Sequence, residues 1–141
     1  ARVLDLFGGS GQLGIEALSR GAEHCTFVEQ DRAAAAVIIA NCKAARVFKQ
    51  ARVQLGQAEL FLTSAPAGQF HIVLLDPPYN QGTLEKILPQ VDRVTAPGGI
   101  VLCESELSAS LPDECGGLRK IRQHRYGKVL VTRYEKDLAE L

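Results

Sequence analysis

No stretch of this 141-residue chain is apolar over the roughly 18–20 residues that a bilayer crossing requires, so no contact with a membrane is expected. Net charge is also missing: 16 Lys and Arg balance 16 Asp and Glu, so bulk electrostatics leave no nucleic-acid footprint. The four cysteines, Cys25, Cys42, Cys103 and Cys115, form no C-x-x-C pair and have no histidine at ligand spacing. Neither a metal nor a disulfide framework is expected, and Cys25 and Cys103 read as small core hydrophobes. That usage fits a reducing, cytoplasmic setting. Internal repeats and low-complexity segments are absent. Without a G-x-S-x-G elbow, hydrolase chemistry has nothing to stand on. His24, His71 and His124 have no evident acid or nucleophile partner, and His71 reads as a strand-entry residue.

What is present is an alternation of two kinds of segment. The length suits one domain with a single core, residues 1–141, and 46% hydrophobic with 23% charged residues is ordinary globular composition. Ala1-Arg2-Val3-Leu4-Asp5-Leu6-Phe7 already reads as a core strand, which predicts a further N-terminal segment in the natural protein. Short apolar runs at 3–7, 25–29, 53–56, 70–75 and 100–104 read as strands, the first closed by glycines. Helical spacing occupies 12–20, stopped by Gly21, and then the Ala-rich stretch from 33 to about 45, which Asp31 can cap. Shorter helices are expected at 58–63 and from about 84 to 94, before a turn at Ala96-Pro97-Gly98-Gly99. Runs at 118–124 and 128–135 around Tyr126-Gly127 form a plausible hairpin.

Five strand–helix alternations and a hairpin predict a doubly wound α/β sheet, mostly parallel, seven-stranded, with an antiparallel C-terminal strand. In such sheets a ligand sits outside the carboxyl ends of the strands, where strand order reverses. With the usual central order, the turn after the first strand and the turn after the fourth should face one crevice.

The first of these turns is Gly8-Gly9-Ser10-Gly11-Gln12-Leu13-Gly14. It holds G-x-G-x-x-G at Gly9, Gly11 and Gly14, directly after a strand and before a helix, the context that marks a nucleotide loop. Glycines there allow a tight turn, close approach to a ligand and helix–sheet packing. Glu29 closes the second strand, where a carboxylate can accept from both hydroxyls of a ribose; an ordinary strand-end acid is the alternative. The loop does not choose its cofactor. A dinucleotide would set its pyrophosphate on the helix N-terminus, whereas S-adenosyl-L-methionine would rest its methionine portion there.

The second turn discriminates. In Asp76-Pro77-Pro78-Tyr79 two prolines remove two N–H donors, leaving carbonyl oxygens without competition. An exocyclic amino group must become more tetrahedral before it can attack a sulfonium methyl. Acceptors at the Asp76 carboxylate and the Pro77 carbonyl would bind its hydrogens and favour that change. Tyr79 can stack on an unstacked base. In-line positioning then matters more than a strong base. A merely rigid turn is the competing explanation, weakened by the glycine loop on the first strand.

Charge is uneven towards the C-terminus. Arg119, Lys120, Arg122, Arg125, Lys128, Arg133 and Lys136 face the single acid Glu135, just after a stretch with Glu104, Glu106, Asp113 and Glu114. A solvated face of terminal strands and a phosphate-contacting surface both fit, and charge alone does not decide.

The run from Asp5 through Gly14 to Gly21-Ala22 resembles the first motif of the RsmD family, bacterial 16S ribosomal RNA guanine-N2 methyltransferases with a Rossmann-like class I methyltransferase fold. Leu75-Asp76-Pro77-Pro78-Tyr79 and Tyr126-Gly127 also fit, so the likeness spans nearly the whole chain. The motif Asp-Pro-Pro-Tyr is shared more widely among amino-methyltransferases. The resemblance implies S-adenosyl-L-methionine as cofactor, with Asp5, Phe7, Gly9, Ser10, Gly11 and Gly14 around its methionine moiety. It implies Glu29 and Gln30 at the ribose, and Gln57 and Ala58 at the adenine. Asp76 with Pro77 would hold the target amine, with Pro78 in the same catalytic turn and Tyr79 against the base. The implied partner is ribosomal RNA or the small ribosomal subunit particle, met by a cytoplasmic monomer. Three departures stand out: Gly9 where alanine is usual, Gln57 where an acid usually meets the adenine amino group, and no basic N-terminal segment.

Other functions remain open on the residues themselves. An adenine-N6 methyltransferase acting on DNA or RNA would use the same turn. A nicotinamide-dependent oxidoreductase is allowed by the glycine loop and Glu29 but leaves Asp-Pro-Pro-Tyr unexplained. A cofactor-binding RNA module without catalysis has only Gln57 in its favour.

Overall fold

The computed structural model describes residues 1–7, 9–77 and 83–138. Strand β1 (Arg2–Leu6) is buried from Val3 onward on both faces, as a central parallel strand must be. Helix α1 (Gln12–Ser19) starts from Gly11, held left-handed at φ 80°. Strand β2 (His24–Glu29) leads to α2 (Arg32–Ala44), whose first turn is capped by the Asp31 carboxylate accepting from the Ala34 N–H at 2.8 Å. A short 3-10 turn (Phe48–Gln50), not foreseen from the sequence, delivers the chain into β3 (Ala51–Leu55). Helix α3 (Ala58–Ser64), β4 (Phe70–Leu75), α4 (Thr83–Val94) and β5 (Thr95–Glu106) complete the alternation. The chain ends on β6 (Glu114–Cys115), β7 (Leu118–Tyr126) and β8 (Val129–Lys136).

All strands among the described residues join one sheet in the order β3-β2-β1-β4-β5-β8-β7-β6. The first five run parallel, and β8 enters antiparallel to β5. Apolar side chains from the two faces form two clusters. One gathers Leu62 from α3 and Leu84, Leu88 and Val91 from α4 around Leu4, Leu75 and Tyr134. The other gathers Leu18 from α1 with Ile38 and Cys42 from α2 around Val3, Cys25 and Phe27. Helices thus cover both faces, the doubly wound arrangement expected. The cysteines Cys25, Cys42, Cys103 and Cys115 are free thiols. His71 takes the strand-entry role: its Nδ1 accepts from the Arg2 N–H at 3.0 Å and pins the start of β1 to β4.

Two expectations need correction. Seven strands were expected; among the described residues the sheet has eight, because Glu114 and Cys115 pair with Arg119 and Leu118. So short a segment carries no hydrophobic period of its own. Residues 96–99, read as a turn, lie within β5. Phe70 pairs with Thr95 and Ile72 with Ile100, so the intervening residues of β5 bulge out, with Gly98 at φ 78°. The turn chemistry was legible; the pairing on either side of it was not.

Candidate active site

Strand β1 lies between β2 and β4, and its last residue, Leu6, is level with Val28 on one side and Leu75 on the other. The order of the strands reverses there. The chain leaving β1 and the chain leaving β4 therefore emerge side by side at the carboxyl edge.

The glycine turn is held from three directions. Asp5, 4% exposed, points its carboxylate under the turn, where Oδ2 accepts from the Gly14 N–H at 3.2 Å. Burial pushes the Asp5 carboxyl up to about 7; the Gly14 N–H opposes that rise, and the charges of Asp76 and Glu29 add to it. Glu29, at the end of β2, accepts from the Gly9 N–H through Oε1 at 3.3 Å and from the Asp31 N–H through Oε2 at 3.0 Å. From α2, the Asn41 amide donates to the Ser10 carbonyl at 2.8 Å. Asn41 escaped the sequence reading; an amide midway along an Ala-rich helix was its only signal.

Local backbone chemistry explains why these residue types stand here. Phe7 adopts φ 62°, rare for a side chain of that size, while its N–H donates to the Val28 carbonyl at 3.1 Å. The chain then turns left-handed at Gly9 (φ 59°) and Gly11 (φ 80°). Gly14 is required for a different reason. A Cβ there would collide with the Phe27 ring and come within 2.8 Å of the Cys25 sulfur, so its absence lets α1 lie directly on β2.

A cleft of about 290 Å³ opens above this edge. Phe7, Gly9, Glu29 and Gln30 line it from the β1 and β2 side, and Gly56 and Ala58 from the chain after β3. Asp76 and Pro77 close it from the end of β4. Of the residues singled out beforehand, Asp5, Gly11 and Gly14 act behind the wall, and Ser10 contributes a tethered carbonyl. Gln57 is the exposed, extended N-cap of α3, and its neighbours Gly56 and Ala58 line the cleft. Pro78 and Tyr79 lie outside the described residues.

Asp76 also has a partner that the sequence did not suggest. Leu75 pairs with Cys103, which sets Asp76 beside Glu104 one step further along β4 and β5. The two carboxyls are close enough to perturb each other, and both are raised above the ordinary carboxylate range. Partial burial raises Asp76, and a hydrogen bond with Glu104 opposes that. Glu104 is raised by burial, by the charge on Asp76 and by the same hydrogen bond. The pair holds a proton to higher pH than either group would alone. In the sequence Glu104 was merely one acid in an acidic stretch; only strand register makes it a neighbour.

Comparison with known proteins bears on the family. The family described as Conserved hypothetical protein 95 matches residues 1–135. YlbH of Bacillus subtilis (strain 168) is 39% identical over 139 residues, covering 96% of this chain and 76% of that protein. Ribosomal RNA small subunit methyltransferase D of Escherichia coli (strain K12) is 35% identical over 140 residues, covering 97% of this chain and 69% of its own. A solved structure of a conserved hypothetical protein of Streptococcus pyogenes superposes with a TM-score of 0.86 at 33% identity, covering 96% of this chain and 86% of that one. Identity of that extent, over a sheet whose glycine turn and Asp76 turn share one cleft, decides the family: the chain belongs to the RsmD family, matched as Conserved hypothetical protein 95.

Proposed function

We propose that this protein transfers a methyl group from S-adenosyl-L-methionine to the exocyclic N2 amine of a guanine in 16S ribosomal RNA. One observation carries the reading: Gly9 from the glycine turn, Glu29 from the end of β2, and Asp76 and Pro77 from the turn after β4 line a single cleft. The name of the Escherichia coli relative, a ribosomal RNA small subunit methyltransferase, supports the substrate class.

The residues present fit the cofactor. Gly9 offers a wall without a side chain, so a ligand can lie against the backbone. Each oxygen of Glu29 accepts a single N–H from the protein, which leaves lone pairs for the two ribose hydroxyls. Gly56 and Ala58 make a low wall against which a flat purine fits, and Gln30 borders the ribose end. Asp5 and Gly14 hold the methionine side of the turn in place. Bound there, the cofactor supplies an electrophilic sulfonium methyl.

The chain's own residues do the rest. The Asp76 carboxylate and the Pro77 carbonyl accept the two hydrogens of the target amine and aim its lone pair at the methyl. The Asp76 carboxylate, raised above the ordinary range beside Glu104, accepts the proton that the methylated amine sheds. Pro78 would lock the turn and Tyr79 would stack on the base. The whole chain is read as one methyltransferase domain, acting in the cytoplasm as a monomer on ribosomal RNA or the small-subunit particle.

An adenine-N6 substrate is the second reading, because acceptors at Asp76 and Pro77 serve either amine. Incubation with labelled S-adenosyl-L-methionine and undermodified small-subunit RNA, against DNA, separates the two. Digested RNA should yield N2-methylguanosine. Methyladenine as the sole product would overturn the guanine assignment.

A further inference from the structure

We propose that the β7–β8 hairpin, on its outer edge and at its tip, is the docking surface for the single-stranded RNA that flanks the target base. This rests on the methyltransferase reading and extends it to a second part of the molecule.

Strand β7 is unlike every other long strand of the sheet. From Ile121 to Tyr126 each residue is exposed, although the strand pairs with β8 at every position but Ile121, where the register shifts. Its far side meets only the two residues of β6, at Leu118 and Arg119, so beyond Lys120 the outer edge has no strand partner among the described residues.

The side chains on it are cationic and aromatic. Lys120 pairs with Asp113 at 3.1 Å, Arg133 with Glu135 at 2.8 Å, and Arg119 lies 3.8 Å from Asp137. Arg122, Arg125 and Lys128 have no carboxylate partner among the described residues. His124 and Tyr126 stand on one face with ring centroids 6.1 Å apart, and Tyr126 is 63% exposed. Unpaired cations interleaved with exposed rings are what a single strand needs: ammonium and guanidinium groups for phosphates, flat faces for unpaired bases.

Register places this surface at the correct end of the sheet. Because β8 is antiparallel to β5, Glu106 at the carboxyl end of β5 meets Val129, the first residue of β8. The tip at Gly127 therefore projects from the same edge as the cleft. Glu104, the neighbour of Asp76, pairs with Val131, which pairs with His124. Asp76 and His124 thus stand in one row, three strand spacings apart, roughly 14 Å at the usual separation. An extended RNA strand leaving the cleft crosses that gap in a few nucleotides.

Charged residues on an exposed edge can also serve only to block self-pairing, and the test must separate that role. Fluorescence anisotropy with a short guanine-containing single-stranded RNA would compare the parent protein with a variant carrying Arg122→Gln, Arg125→Gln and Lys128→Gln. The expected result is binding weaker by roughly tenfold or more, with the slope of log K against log salt smaller by about 2. Tyr126→Ala should weaken binding by about tenfold while Tyr126→Phe does not. Lys49→Ala with Arg52→Ala, on the opposite edge, should leave it unchanged. A triple variant that self-associates yet binds RNA as before, or a parent protein that does not bind the RNA, would overturn the proposal. Should the triple variant misfold, Arg122→Gln and Lys128→Gln made singly give the same reading at smaller amplitude. Titration of the parent with S-adenosylhomocysteine judges the parent reading independently: no binding there refutes the methyltransferase assignment, while the hairpin stands or falls on anisotropy alone.

Discussion

Strands β1 and β7 belong to one sheet and live in different solvents. In β1 every residue from Val3 to Leu6 is buried, Asp5 included, whereas in β7 nothing from Ile121 to Tyr126 is. A strand packed on both faces cannot shift, so the turn it feeds inherits a position good to a fraction of an ångström. That suits a site in which an amine must be aimed. A strand paired on one edge and open on both faces tolerates almost any side chain and can carry charge that a core would reject. The two halves of the sheet divide the work between positioning a reacting atom and holding a long, flexible polymer.

The sharpest break of this contrast is at Asp76. Asp76→Ala should lower methyl transfer by about 100- to 1,000-fold, as for other preorganised hydrogen-bonding groups. Affinity for S-adenosylhomocysteine should stay within severalfold by calorimetry, because Glu29 and the glycine turn are untouched; unimpaired turnover would remove Asp76 from its role. Next comes Gly14→Ala, which adds a methyl where Phe27 and Cys25 already stand. Denaturant unfolding should show a loss of about 1–3 kcal/mol or somewhat more. A neutral result would mean that α1 is free to lift off β2.

The pH dependence follows. Asp5 holds its proton to about 7 when folded, against 3.8 as an isolated side chain. Between those values the folded state binds the extra proton, so stability from this group is full below about 3.8 and is lost as pH rises towards 7. The raised pair Asp76 and Glu104 acts in the same direction. Asp5→Asn should flatten the decline in thermal midpoint between pH 4 and pH 7, and an unchanged slope would assign the decline to other groups. Smallest of all, Arg122→Gln should change unfolding free energy by no more than about 0.5 kcal/mol, since it touches no core. A larger loss would show that β7 is less independent of the sheet than its exposure indicates.

Legibility follows the same divide. The glycine turn, Glu29 and the Asp31 cap could be read directly, because each depends on residues within one strand–turn–helix unit. Asn41 and Glu104 could not. Asn41 reaches the glycine turn across 31 positions of chain, and Glu104 reaches Asp76 only because Leu75 pairs with Cys103. Gln57 stands between two residues of the wall: as the extended N-cap of α3 it is exposed, while its neighbours Gly56 and Ala58 line the cleft. The hairpin's charge was visible and undecided, since composition says how many cations there are and not whether carboxylates face them.

By itself the sequence determined the alternation of strands and helices, the left-handed glycines and the doubled proline after an aspartate. These are short-range matters of burial period and backbone sterics. Only the tertiary structure decided which carboxyls meet, which cations stay unpaired and which edge of the sheet they share with the cleft. Those outcomes depend on register between strands distant along the chain, and pairing energies of that kind are summed over the whole sheet, not encoded at any single position.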